Sequence, residues 1–427
     1  MNVLLQIPLP LRLATLFLLG LVLGAGVNWG IYSLAWIFPK AISPWSPPHP
    51  AAPPRRWSDY LPVVGWLGLR REAPQHGSGF WIRPLLLELC CGISLALLYQ
   101  WEISGGLLPA NARLVAPQFA FTLHAQFLSH VLLGALMLVA TFIDFDEQTI
   151  PDTITIPGTL LGLLLAIFLP SSHLPEVFAG PPRVVSGLVL TSPTPWPLSL
   201  EGSQAMILGA ALFAAWCAAL IPATATLRRG YWNATRFYFA SIRRDGVWPW
   251  YAGLATVGAI AIGTVWGANI GDSWKSLLTS LVGMAFGGGL VWAVRIVGRI
   301  SLQREAMGFG DVTLMAMIGA FLGWQAALIV FFLSPAAALL VSIAQWVLSG
   351  RRDIAFGPYL CLAAMFLIVA WDLVWNGMVA DIFILGWIIP ALVGACLMLM
   401  LGLLMFWRIA EELLTGGGKA GSQEDHR

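Results

Sequence analysis

Apolar runs recur along the whole chain, near residues 13–38, 84–101, 124–144, 153–170, 204–223, 249–268, 276–298, 312–325, 327–348, 358–376 and 382–407. Runs of about twenty apolar residues are long enough to cross hydrocarbon about 30 Å thick. Only 10% of residues are charged and 58% are hydrophobic, against roughly 25% charged in a soluble domain. The sequence therefore predicts an all-α polytopic membrane protein with about eleven transmembrane helices. Its first partner is the lipid membrane, and nothing in it indicates a nucleic-acid face.

Orientation follows from where the cations fall. If the N-terminus is outside, 19 of the 23 Lys and Arg residues lie on inside segments, and only Arg12, Arg113, Arg183 and Lys275 lie outside. Cytoplasmic loops carry such an excess, so the N-terminus is expected outside and the C-terminus in the cytosol. Residues 1–38 read as an uncleaved first span. Residues 39–83 form a cytosolic loop that opens on Pro47, Pro48, Pro50, Pro53 and Pro54 as an extended linker. Residues 171–204, rich in Pro, Ser and Gly, read as irregular loop, and 411–427 as a disordered cytosolic tail. Asn233-Ala234-Thr235 matches a glycosylation acceptor, but the charge argument puts it inside.

With 21 acidic residues in the chain, those near the membrane can be enumerated. Asp311 follows Met307-Gly308-Phe309-Gly310 at the mouth of an apolar helix. An ionisable residue there is a functional candidate, and it is equally a favoured helix cap. Gly308 and Gly310 would let a substrate backbone or water approach Asp311 and would allow a positive φ in the turn. Asp144 ends the third run, ahead of Ile150-Pro151-Asp152. In the charge-derived topology Asp144 and Asp311 share the inner face. Carboxylates at close range cannot both ionise cheaply, so one can hold a proton while the other acts as base on a water. Asp146, Glu147 and Asp152 read as solvated turn residues, with Asp152 capping the next helix.

Cys90, Cys91, Cys217, Cys361 and Cys396 all lie inside apolar runs, without a metal-binding spacing. The six histidines are scattered, with His130 read as a packed or hydrogen-bonded side chain, so no metal is expected. Gly283 and Gly287 form a GxxxG that predicts close helix packing.

Together these residues resemble the type IV prepilin peptidase family, membrane aspartic proteases of the GxGD kind. Asp144 with Ile150-Pro151-Asp152 is similar to the family's first catalytic motif, and Glu305 to Asp311 followed by Gly319 to Trp324 to its second. Gly20 to Gly24 with Asn28, Leu61-Pro62-Val63 with Trp66, Pro84 with Glu88, and Phe356 to Leu360 are similar to further family stretches in the same order. The resemblance implies that Asp144 and Asp311 are the catalytic pair, with Gly308, Gly310, Ile150, Pro151 and Asp152 as supporting motif residues. It implies cleavage, at the cytosolic face of a bacterial inner membrane, of the leader of type IV prepilins or of the pseudopilins of type II secretion. Many members also methylate the new N-terminus with S-adenosylmethionine.

The chain departs from the family in three ways. The cytosolic loop lacks the two CxxC pairs often found there, so zinc is not expected. Thr313 stands where members often carry Lys. Residues 171–274 read as an insertion with two extra spans, between membrane blocks 84–170 and 275–410. A transporter or channel with acids on an ion path is the rival reading. Another is a GxGD protease of the signal-peptide-peptidase type, for which Pro390-Ala391-Leu392 is the matching string.

Overall fold

The computed structural model describes residues 6–35, 44–178, 184–221, 244, 246–268, 271–302, 307–349 and 356–415. Glu305, Ala306, the acceptor pattern at 233–235 and residues 416–427 lie outside them.

Every apolar run becomes a helix. They are α1 (Leu9–Leu34), α2 (Ile82–Ile103), α3 (Ala120–Glu147), α4 (Asp152–Phe168), α5 (Ser203–Ala219) and α6 (Trp248–Gly267), followed by α7 (Gly271–Leu302), α8 (Phe309–Leu322), α9 (Trp324–Ser349), α10 (Gly357–Val369) and α11 (Ile388–Thr415). Seven of these contain a stretch long and apolar enough to cross a membrane. α10 joins the following helical segment to Phe383 through an 85° bend, and α4, α5 and α8 are shorter apolar helices. The expected eleven or so spans thus become seven full ones, one bent one and three short ones among the described residues.

The shortest unbent member is the central one. With 14 residues, α8 is about 21 Å long, less than the hydrocarbon thickness of about 30 Å. Every residue from Asp311 to Leu322 is buried. A helix that is apolar all round has no face to give to water, and here α7, α4, α9, α10 and α3 surround it.

Close backbone contact makes that enclosure possible. A Cβ on Gly283 of α7 would overlap the carbonyl oxygen of Gly319 in α8, and one on Gly287 would stand 2.5 Å from that of Met315. The GxxxG expectation holds, because small residues let two helix backbones meet where hydrophobic burial gives no preference over lipid.

Residues 169–178 and 184–202 cap the end of the bundle opposite Asp144, and they are not irregular throughout. β1 (Pro175–Phe178) pairs antiparallel with β2 (Val184–Gly187), strands that the β-branched Val177, Val184 and Val185 favour. Indole donors fasten the cap: Trp324 Nε1 to Leu190 O at 2.8 Å, Trp371 Nε1 to Pro175 O at 2.7 Å and Trp274 Nε1 to Leu200 O at 2.8 Å. Buried backbone carbonyls need such partners.

The segment between α1 and α2 carries a 3₁₀ turn (Trp57–Tyr60) and a short helix (Val64–Leu69). It is stitched by ion pairs, Arg55 with Glu72 at 3.1 Å and Arg71 with Asp59. Buried Glu88 of α2 accepts from Val63 N–H at 2.5 Å, Trp66 Nε1 at 2.8 Å and Asn28 Nδ2 at 3.0 Å. His130 is buried and bonded to Glu102 at 2.8 Å, as expected.

Candidate active site

α3 brings Asp144 to the end of the bundle and stops one turn later. Gln148 adopts a left-handed conformation, φ 54°, and its N–H bonds back to Asp144 O at 2.9 Å. Pro151, in extended backbone at the N-cap, then starts α4 at Asp152. The short link presses Ile150 into the core at 9% exposure.

Gly310 receives that link. A Cβ at Gly310 would stand 2.8 Å from Cβ of Ile150 and 3.0 Å from its carbonyl oxygen. The glycine is therefore needed for the two motifs to touch, and the expected substrate approach to Asp311 at this position is filled by Ile150. Nor does the turn use a positive φ, since Gly308 has φ −70°. A Cβ at Gly308 would meet nothing nearer than Asp311 Oδ2, at 3.7 Å.

Asp311 sits in the first turn of α8, and its Oδ2 accepts from Gly308 N–H at 3.1 Å. It therefore reaches back to the helix start as the cap reading expects. The two carboxylates are within electrostatic reach of each other, and both are shielded, Asp144 at 5% and Asp311 at 7% exposure. Arg295 near the end of α7 bears on Asp311, with its guanidinium 5.7 Å from the centre of the Phe309 ring.

α10 closes the site from a third side. A Cβ at Gly357 would stand 2.7 Å from Asp144 Oδ2 and 2.6 Å from Ile150 Cδ1. The Gly357 amide faces the Asp144 carboxylate, whose Oδ2 has no hydrogen-bond partner among the described residues. One turn on, Cys361 bonds Thr141 and lies within reach of both carboxylates.

Thr313 ties α8 to α4. Thr155 Oγ1 donates to Thr313 Oγ1 at 3.0 Å, and Thr313 Oγ1 lies 3.1 Å from Gly310 O and 3.5 Å from Asp152 Oδ1. Asp152 is exposed, as expected, and makes no side-chain cap of its own helix. Asp146 is exposed and paired with Arg83 at 2.9 Å. Glu147, expected in solvent, is 8% exposed because the last turn of α3 folds it against the bundle.

The structure packs Ile150 on Gly310, sets Asp152 near Thr313 and puts Pro151 in the turn after Asp144. Sequence reading missed Gly357, Cys361 and Thr155 as site residues. None carries charge, so enumerating acids could not find them; the one available signal was Phe356-Gly357-Pro358, a glycine at a helix start.

No group of three or more His, Cys, Asp or Glu is arranged as metal ligands among the described residues. All five cysteines are free and none lies in the segment between α1 and α2. Ion pairs and the Glu88 anchor hold the described part of that segment.

The type IV leader peptidase family model matches residues 131–231 and 246–343. The chain is 33% identical over 105 residues to the prepilin leader peptidase/N-methyltransferase of Aeromonas hydrophila, covering 23% of this chain and 36% of that protein. It is 34% identical over 105 residues to the protein of that name from Dickeya chrysanthemi, covering 23% and 37%. For Pseudomonas aeruginosa the values are 33% over 99 residues, covering 22% and 34%. The match thus spans about a third of the length of these curated relatives. No solved structure matches the chain.

Proposed function

We propose that the chain, which the type IV leader peptidase family model matches over residues 131–231 and 246–343, is a member of that family and an aspartic endopeptidase that removes the leader of type IV prepilins or pseudopilins at the cytosolic face of a bacterial inner membrane. One observation supports the reading: two shielded carboxylates from helices far apart in sequence, Asp144 and Asp311, lie within electrostatic reach of each other at the end of the bundle where Ile150 packs on Gly310.

In this reading the two carboxylates share one proton, as close carboxylate pairs do. The ionised one takes a proton from a water as that water's oxygen attacks the scissile carbonyl carbon, giving a tetrahedral intermediate. The protonated one then gives its proton to the leaving amine nitrogen as the C–N bond breaks. Gly308 N–H orients Asp311, and the packed Gly357 backbone fixes where Asp144 can point. Asp152 and Thr313 act on position, through α4 and α8.

Methylation is the second activity in the relatives' names. No described residue is assigned to S-adenosylmethionine by geometry, and the proteolytic step needs no such group. The rival transporter reading fits less well, because the paired acids lie at one end of the bundle.

The deciding experiment incubates the purified full chain with prepilins encoded beside it and measures product mass. Loss of the leader mass supports the reading, and an added methyl-group mass resolves the second activity. Intact prepilin, together with acid-dependent solute uptake in vesicles, would reverse it.

A further inference from the structure

The segment between α1 and α2 presents a face that the bundle does not use. On the short helix, Gly65, Trp66 and Leu69 are buried, while Val64 and Leu67, three residues apart and so on one side, are 51% and 48% exposed. The preceding 3₁₀ turn repeats the pattern. Trp57 and Tyr60, also three apart, are 79% and 47% exposed, and Leu61 is 43% exposed. Five large apolar side chains in eleven residues thus face outward, a patch that a water-exposed loop has no reason to keep.

Its height along the bundle is fixed by Glu88. Val63 N–H and Trp66 Nε1 both donate to Glu88, which lies six residues into α2, about 9 Å along that helix from its start. The short helix is thereby held against a spanning helix, near the start of its apolar stretch.

The charges sort in the same direction. The acids of the segment, Asp59 and Glu72, are buried in ion pairs with Arg71 and Arg55. Arg56 and Arg70 are exposed, the latter with its guanidinium 4.8 Å from the Trp81 ring centre. Outward charge on this face is basic, the complement of acidic headgroups, and arginine stems lie along apolar surface while their heads reach polar groups.

We propose that Trp57 to Leu67 lies in the interface of the membrane that the chain itself crosses, with Trp57, Leu61, Val64 and Leu67 on lipid and Arg56 and Arg70 on acidic headgroups. A basic amphipathic face of this kind settles in the headgroup boundary, more firmly where the lipid is anionic.

The test uses the full chain in vesicles, with the exposed Cys90 and Cys396 changed to Ser. A polarity-sensitive dye is placed at Trp57→Cys or Leu67→Cys, with Ser78→Cys as control, and quenched by acrylamide from water and by nitroxide lipid from the bilayer. Acrylamide quenching at positions 57 and 67 is expected to be about threefold weaker than at 78, and nitroxide quenching correspondingly stronger. Acidic vesicles should deepen the effect, and Arg56→Gln with Arg70→Gln should remove that lipid dependence. Equal acrylamide access at 57, 67 and 78 overturns the proposal. So does protection that appears only as protein density in the vesicle rises, which assigns the face to a second copy of the chain.

Discussion

A Cβ on Gly357 would stand 2.7 Å from Oδ2 of Asp144, and 2.6 Å from the Ile150 side chain that fills the space below it. The start of α10 is therefore moulded to one orientation of one carboxylate. Gly357→Ala must rotate Asp144 or push α10 away, an overpacking cost of about 1–3 kcal/mol. Leader cleavage is expected to fall by about tenfold or more, with the protein still inserted. Unchanged cleavage rates from the alanine variant would separate α10 from the chemistry.

Asp144→Asn and Asp311→Asn should each lower cleavage by about a thousandfold, the scale of losing a general acid or base. The double variant should be no worse than either alone, because the pair acts as a unit. Asp146→Ala and Asp152→Ala should keep substantial activity, since both acids are exposed. Single-turnover cleavage of a prepilin reads all five variants, and loss at Asp152 as deep as at Asp144 would mean the wrong acid was chosen.

Thr313→Val leaves the Thr155 hydroxyl without the partner it meets at 3.0 Å, at a cost of about 1–3 kcal/mol. Thr313→Ser should restore most of it. A double-mutant cycle with Thr155→Val, read by thermal unfolding in detergent, should give a coupling of about 0.5–1.5 kcal/mol. Additive effects would contradict the link between α4 and α8.

Packing of α7 on α8 gives a prediction with an internal control. Gly283→Leu forces side-chain atoms into the Gly319 backbone, whereas a Cβ on Gly289, in the same helix, meets nothing within 4 Å. The first variant should lose both thermal stability and cleavage, and Gly289→Ala neither. Equal melting temperatures for the two would mean that α7 and α8 are not in backbone contact.

Acid should loosen the segment between α1 and α2. Burial pushes the Asp59 carboxyl up, but the Arg71 hydrogen bond and the Arg56 N–H outweigh it and hold it below its ordinary value of 3.8. The folded form therefore binds the proton less readily than the unfolded one, and the pair stabilises fully above that ordinary value. Its contribution is lost as pH falls through 3.8 toward the lower folded value. Hydrogen exchange over residues 64–69, corrected for intrinsic rates, should rise below about pH 4, and Asp59→Asn should raise exchange at neutral pH and flatten that profile.

The apolar runs determined the number and order of the helices, because a chain in lipid has few ways to satisfy its backbone over twenty residues. They could not decide which helices stop short: α8 has the same composition as a lipid-facing span, and only its neighbours make it a buried helix without a lipid face. Asp144 and Asp311 were legible one by one, as costly acids beside hydrocarbon, and the motif string gave them a shared role. Their meeting was not legible. It depends on Gly310 lying against Ile150 and on the Gly357 backbone approaching Asp144, contacts more than a hundred positions apart in which the glycines carry no charge to mark them. Glycine pairs record only that something comes close, and which backbone comes close is settled when the helices pack.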